Sequence, residues 1–421
     1  MEKLKKFFKA LGPGFITGAS DDDPSGIATY SQTGAQFGYS QLWTALFSFP
    51  FMTAVQEMCG RIGMVTGKGL SGVIQKNYSK SILYLAVFLL LVANTINIGA
   101  DLGAMASSAQ LILGFPLIFW LIIMVTITLL LEVFVSYKIY SKYLKYLTFS
   151  LFAYIITAFV VKQNWRELLF FTFVPKFSFN KTYILNIVAI LGTTISPYLF
   201  FWQADEEVEE EVVFKKLRVM GKGIPKITKK DIREMRLDTS IGMFFSNLVM
   251  FFIIVTVAST LGMKNITSIQ TASQAAEALR PLAGNFTFLI FAAGIIGTGL
   301  LAVPVLAGSA SYAISEAFGW KEGLYRKFTQ AHGFYGVITL ATLIGLSVNF
   351  VNIQPFRMLY YTAILNGIAA PPLLIIIMLI SNNKKVMGKY TNSLASNIMG
   401  WFITIILAVA SLILFYFLLK H

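Results

Sequence analysis

The chain has 421 residues, 56% of them hydrophobic and only 13% charged, with a mean hydropathy of +0.69. These values exclude an ordinary soluble domain and a disordered chain, and place it among polytopic membrane proteins. A single cysteine, Cys59, rules out a disulfide framework or zinc-type spacing, and the formal net charge of +14 has to be located before it implicates nucleic acid.

In chain order, a basic N-terminus (1–10) precedes Gly12-Pro13-Gly14 and an acidic run, which interrupt any signal-peptide core, so no cleavage is expected. A spanning helix needs about 20 apolar residues, and this criterion predicts eleven spans. The first runs from Leu11 to Phe37 and is broken at Asp23 to Gly26. The second covers Gln41 to Val65, the third Ser81 to Ile112, and the fourth Pro116 to Val135. The fifth, Tyr143 to Val161, precedes a polar stretch with Trp165, Arg166 and Glu167. The sixth, Tyr183 to Gln203, holds Gly192-Thr193-Thr194-Ile195-Ser196-Pro197 at its middle and should be broken too. Beyond the run Asp205 to Glu211 and a basic connection through Arg236 come spans at Thr239 to Leu261, Pro281 to Ser311, Ala331 to Asn349, Pro355 to Ile380 and Ser396 to Leu419.

With the N-terminus inside, the inward segments hold 26 of the 34 Lys and Arg residues, including Lys3, Lys138, Lys142 and Lys145. That bias predicts a multi-pass protein of the cell membrane with a cytoplasmic N-terminus, and assigns the basic charge to membrane orientation. The expected partner is the lipid bilayer, with no nucleic acid and no protein partner. The broken spans lie five helices apart, and an odd number of helices per half requires the second half to insert upside down. The expected fold is therefore all-α and polytopic, with two inverted five-helix repeats plus an eleventh helix. Its divisions are a cytoplasmic 1–10, a first repeat 11–162, an extracellular connection 163–182, a second repeat 183–380 with cytoplasmic loop 205–238, and span 396–419.

The chemistry concentrates at the breaks. Ionised acids inside a membrane are costly and mark pathways or binding sites, and Ser20-Asp21-Asp22-Asp23-Pro24-Ser25-Gly26 carries three in a row. Asp23 is the best candidate ligand, because a break beside Pro24 lets its carboxylate and freed carbonyls converge on one ion. Asp21 and Asp22 follow helical angles, so one or both are expected to face an aqueous vestibule. On the sixth span Thr193 and Ser196 offer only hydroxyl and carbonyl oxygen, an environment suited to hard cations such as magnesium and manganese. Two blander readings stand beside this one: Gly192 and Pro197 kink a helix for packing, and Asp21 to Asp23 form an acidic surface loop.

Glu57 and Asp101 are either pathway groups or buried structural acids, and Asn94, Asn97 and Gly99 either line a polar face or pack helices together. The run Asp205 to Glu211 either collects cations at the inner mouth or, the preferred reading, forms a solvated helix extension with Glu211 four residues before Lys215. His332 and His421 form no cluster.

Gly12-Pro13-Gly14-Phe15, Asp23-Pro24-Ser25-Gly26 and Gly34-Ala35-Gln36-Phe37-Gly38-Tyr39 resemble the first helix of the Nramp divalent-metal transporters, whose hallmark is Asp-Pro-Gly-Asn. Leu191 to Tyr198 is similar to that family's Gly-Ala-Thr-Val-Met-Pro-His. The resemblance implies a LeuT-like fold and metal binding at Asp23, with Ser20, Gly26, Thr193 and Ser196 contributing partly through backbone or water. The departures matter as much: Gly26 replaces the family's metal-binding Asn and Ser196 its Met, while Tyr198, Asn97 and Ala100 stand where proton-coupled members carry His and two acids, with Asp101 one place out of register. The pattern resembles the Nramp-related magnesium transporter branch. The expected function is divalent-cation transport, chiefly of magnesium with manganese permitted, without obligatory proton coupling, enzyme activity or cofactor. Tyr198, Asp101, Asp21 and Asp22 are pathway candidates. The alternatives are a proton-coupled manganese or iron importer, a sodium-coupled amino-acid symporter, and an intramembrane aspartyl enzyme using Asp23 and Asp101.

Overall fold

The computed structural model describes residues 12–135, 149–264, 266–351 and 353–419. The N-terminal segment 1–10, Lys138, Lys142, Lys145, the start of the fifth span at Tyr143, and His421 lie outside them. Among the described residues the regular structure is helical, apart from one isolated bridge between Val219 and Lys222. The principal helices are α1 (Pro13–Asp21), α2 (Pro24–Phe37), α3 (Trp43–Thr66), α4 (Leu70–Asn77), α5 (Lys80–Leu113), α6 (Leu117–Phe134), α7 (Phe152–Val160), α8 (Trp165–Phe173), α9 (Lys181–Thr194), α10 (Pro197–Val213), α11 (Lys229–Thr260), α12 (Thr287–Phe318), α13 (His332–Ser347), α14 (Pro355–Asn382) and α15 (Leu394–Leu419).

Among the described residues, 8 helical stretches are long and apolar enough to cross a membrane unaided. The other three predicted spans differ for separate reasons. The first is split into halves of 9 and 14 residues, the second (α3) carries Glu57 and Arg61, and only the last part of the fifth, α7, is described. Some boundaries shift where local chemistry extends a helix. The connection through Arg236 is itself helical from Lys229, because Thr228 and Asp231 form a reciprocal capping box. The polar stretch after the fifth span contains α8, capped by Asn164. The predicted span Pro281 to Ser311 is displaced to Thr287–Phe318, and the sixth continues to Val213.

Hydrocarbon gives helices no hydrophobic reason to associate, so close packing between small residues has to do it. The α1–α11 contact shows this: a Cβ on Gly18 would lie 2.3 Å from the carbonyl carbon of Gly242. The same pair is fastened at its end by Asp238, which accepts the N–H groups of Gly12 (2.9 Å), Gly14 (2.8 Å) and Phe15 (3.3 Å). Asp238 thus supplies from α11 the cap that α1 lacks in its own sequence. Asp238→Ala is expected to destabilise the protein by about 1–2 kcal/mol, read as a lower thermal midpoint, with Asp238→Asn recovering part of the loss.

Candidate functional site at the two helix breaks

Both breaks place an extended residue before a proline that restarts the helix. Asp23 sits in extended backbone (φ −66°, ψ 170°) and Pro24 opens α2, where a missing N–H costs nothing. The Asp23 carboxylate caps that helix, accepting the N–H of Gly26 at 2.7 Å and the hydroxyl of Ser25 at 2.6 Å. The first break is therefore Asp22–Asp23 and not the predicted Asp23 to Gly26. Ser25 and Gly26 already lie in the first turn of α2, so the freed carbonyl expected at Gly26 is not found. In the second break Ile195 and Ser196 interrupt the helix and Pro197 restarts it. The Ser196 hydroxyl donates to the carbonyls of Gly192 (2.8 Å) and Thr193 (2.7 Å), closing the end of α9.

The two breaks meet. The Tyr198 hydroxyl donates to the Ser20 carbonyl at 2.9 Å, and a Cβ on Gly26 would lie 3.2 Å from the Asp21 carbonyl oxygen and 3.3 Å from the Thr193 hydroxyl. Gly26 thus lets the second break approach the first closely. From α5, the Asn97 amide donates to the second Asp23 oxygen at 3.1 Å, leaving its own carbonyl oxygen buried and unpartnered. Asp101, one turn along the same face, is fully buried with neither carboxylate oxygen bonded. Asp23, Ser20, Thr193, Ser196, Tyr198 and Asn97 so form one oxygen-lined centre with Asp101 beside it. Among the described residues no group of three or more His, Cys, Asp or Glu is set to hold a metal ion, so an ion at Asp23 would meet its carboxylate and neutral oxygens, with Asp101 as the next buried acid. Tyr198→Phe removes the one direct bond between the breaks. It is expected to cost about 1 kcal/mol and to lower the thermal midpoint modestly.

Asp21 and Asp22 are placed otherwise than expected. Both are buried against α11, where the Ser246 hydroxyl donates to Asp21 at 2.5 Å and approaches Asp22 at 3.4 Å, so neither faces an open vestibule in this conformation. Tight α1–α11 packing covers them, and the partner serine lies too far along the chain to be read from the motif. Asn97 was weighed as a packing residue. Its sequence signals as a site residue are its spacing of four from Asp101 and its place where proton-coupled family members carry an acid.

The remaining acids lie away from the breaks. Glu57 pairs with Arg61 (2.9 Å) and Arg236 (2.7 Å). Asn94 bonds the Leu306 carbonyl and Ser309 on α12, and Gly99 packs on Gly345. The run Asp205 to Glu211 is not a solvated extension: Asp205, Glu207, Glu209 and Glu211 are buried. Lys215 takes a left-handed φ of 60°, ending the helix, so Glu211 pairs with Lys216 at 3.9 Å instead. In the adjoining loop, burial and then the Glu316 charge push the Glu322 carboxyl up to about 9.

A family model described as natural resistance-associated macrophage protein-like (Nramp) matches residues 14–417. The chain belongs to the Nramp family. Among curated Nramp relatives, the divalent metal cation transporter MntH of Caldanaerobacter subterraneus is 23% identical over 430 residues, covering 99% of this chain and 95% of its own. MntH of Mycobacterium leprae is also 23% identical, covering 98% and 93%. The structure of the Eremococcus coleocola manganese transporter matches with a TM-score of 0.74 at 16% identity, covering 97% of this chain and 87% of its own. An inward-facing structure of Mhp1 matches with a TM-score of 0.57 at 12% identity, covering 97% and 91%. Those likenesses bear out the expected LeuT-type all-α membrane fold. This Nramp protein is a multi-pass membrane transporter and not an enzyme, as its relatives are, and needs no cofactor.

Proposed function

We propose that this Nramp protein carries divalent metal cations across the cell membrane, chiefly magnesium with manganese permitted, by alternating access and without obligatory proton coupling. In this reading the N-terminus is cytoplasmic, residues 11–162 and 183–380 are the repeats, and the site lies between their first helices. The observation that carries it is Asp23, one carboxylate held only by neutral donors and facing a second break that adds only hydroxyl and carbonyl oxygens. Asp23 binds the ion directly or through water, with Ser20, Thr193 and Ser196 contributing through backbone or water, while Gly26 leaves room for the second break to approach. Magnesium sheds its water reluctantly and uses one or two carboxylates with retained waters, which suits so few charged ligands. No thioether or imidazole is present at Ser196 or Tyr198 to favour softer ions. The relatives named as divalent metal cation or manganese transporters support the ion class. An inside-negative potential favours entry of a double charge by about 4.6 kcal/mol per 100 mV, at about 2.3 per charge, enough to drive uptake.

One observation favours a second reading, a proton-coupled manganese importer: Asp101, buried and unpartnered within the field of Asp23, is placed to carry a proton. Uptake by proteoliposomes offered magnesium, manganese and calcium tests the substrate. Magnesium and manganese should both enter; entry of manganese alone would reject the magnesium assignment.

A further inference from the structure

Away from the breaks, a second set of acids is buried at the end of the molecule that carries the N-terminus, where Gly12 faces Glu210. Asp205 and Glu209 on α10, Glu316 near the end of α12, and Glu322 in the following loop come from three segments of the chain and are all buried. Two of them are fully employed. Glu209 accepts the Tyr312 hydroxyl and the N–H groups of Leu324 and Tyr325. Glu316 accepts the N–H groups of Gly69 at 2.6 Å and Gly72 at 2.8 Å, capping α4.

Asp205 is different. It is 0% exposed, and neither carboxylate oxygen has a partner. A Cβ on Gly69 would lie 1.8 Å from an Asp205 oxygen and 2.7 Å from a Glu316 oxygen, so the two carboxylates share the space that this glycine leaves open. Glu322 also keeps one buried oxygen unbonded. The nearest cations are not hydrogen-bonded to these carboxylates: Lys68 donates to the Gly221 carbonyl at 2.8 Å, and Arg326 to the Glu322 backbone carbonyl at 2.8 Å while lying over the Tyr325 ring, so their charges reach Glu316 and Glu322 only from a distance. The ion pairs among the described residues involve none of these four acids.

Buried carboxylates without a counter-charge are strongly unfavourable, and they resolve this by taking up a proton or a cation. A single proton shared between Asp205 and Glu316 would still leave the far Asp205 oxygen and the buried Glu322 oxygen unbonded, whereas a hydrated ion presents several donors at once. We propose that Asp205 and Glu316, with Glu322 at the edge, bind a partly hydrated divalent cation, a site separate from the one at Asp23. Two carboxylates with retained water are an ordinary magnesium or manganese environment. An ion there ties α10 to α12 and α4 at the cytoplasmic end, and through that tie the internal cation holds this end closed. That last role rests on the transport reading above; the site itself does not.

Binding of Mn²⁺ to the purified full-length chain, counted by electron paramagnetic resonance, tests the proposal. Wild type is expected to bind two ions, Asp23→Ala one, Asp205→Asn one, and the double variant none. If Asp205→Asn fails to fold, Glu322→Gln in the Asp23→Ala background serves instead and should weaken the remaining ion at least about tenfold. Equal binding by Asp23→Ala and the double variant, no ion bound to Asp23→Ala, or unchanged affinity in Glu322→Gln would overturn the site and leave protons as the neutralising species. Failure of the transport reading would show instead as metal flux unaffected by Asp23→Ala, which leaves the one ion expected in Asp23→Ala unchanged.

Discussion

Asp23→Asn is expected to abolish metal uptake while leaving the fold intact. The Asn side chain still caps α2, since its carbonyl oxygen accepts from Gly26 and Ser25 as the carboxylate does and Asn is as good a cap as Asp. What it loses is the charge. At 4 Å and an effective dielectric of 20, that charge is worth about 4 kcal/mol for each unit on the ion. The initial rate of uptake by proteoliposomes should therefore fall at least about a hundredfold, with a thermal midpoint close to wild type. Asp23→Ala should lose flux equally but also stability, because the cap goes with the ligand. Comparing the two variants separates ligand from scaffold.

The largest stability effect is expected at Arg61. Its guanidinium is 1% exposed, is forked onto Glu57 (2.9 and 3.1 Å), and reaches the Tyr390 carbonyl and the Asn392 side chain beyond α14. It ties α3 to the connection before α15, and Arg236 joins from α11 through Glu57 at 2.7 Å. Arg61→Ala leaves Glu57 with only the half-exposed Arg236 and takes the donor from the Tyr390 carbonyl and Asn392, and should cost about 3–5 kcal/mol, a fall of roughly 5 °C or more in the thermal midpoint. Arg61→Met combined with Glu57→Gln removes the under-compensated carboxylate and should recover part of that fall. A single variant as stable as wild type would show that the network contributes nothing.

Much of this architecture is legible in the sequence because proline and acid side chains act locally. Asp23-Pro24 and Ser196-Pro197 announce their breaks, since a proline after an extended residue is pre-set for the first position of a helix. That same rule makes both breaks narrower than expected, the first ending before Gly26 and the second lying after Gly192. What was not legible depends on partners far along the chain. Asp21 and Asp22 bond Ser246, Asp23 bonds Asn97, and Asp238 caps α1 from more than 200 residues away. The run at Asp205 to Glu211 shows the limit best. Its composition reads as a solvated helix, yet Gly69 and Gly72 let a distant backbone close over it and Glu316 joins it from α12.

The central claim is that an ion of the magnesium class crosses at Asp23, driven by the membrane potential alone. Magnesium entry into proteoliposomes under an imposed inside-negative potential, with a pH indicator in the lumen, tests it most directly. The account predicts potential-driven magnesium entry without lumenal acidification, absent in Asp23→Asn. Entry of manganese but not magnesium, accompanied by acidification that Asp101→Asn removes, would contradict it.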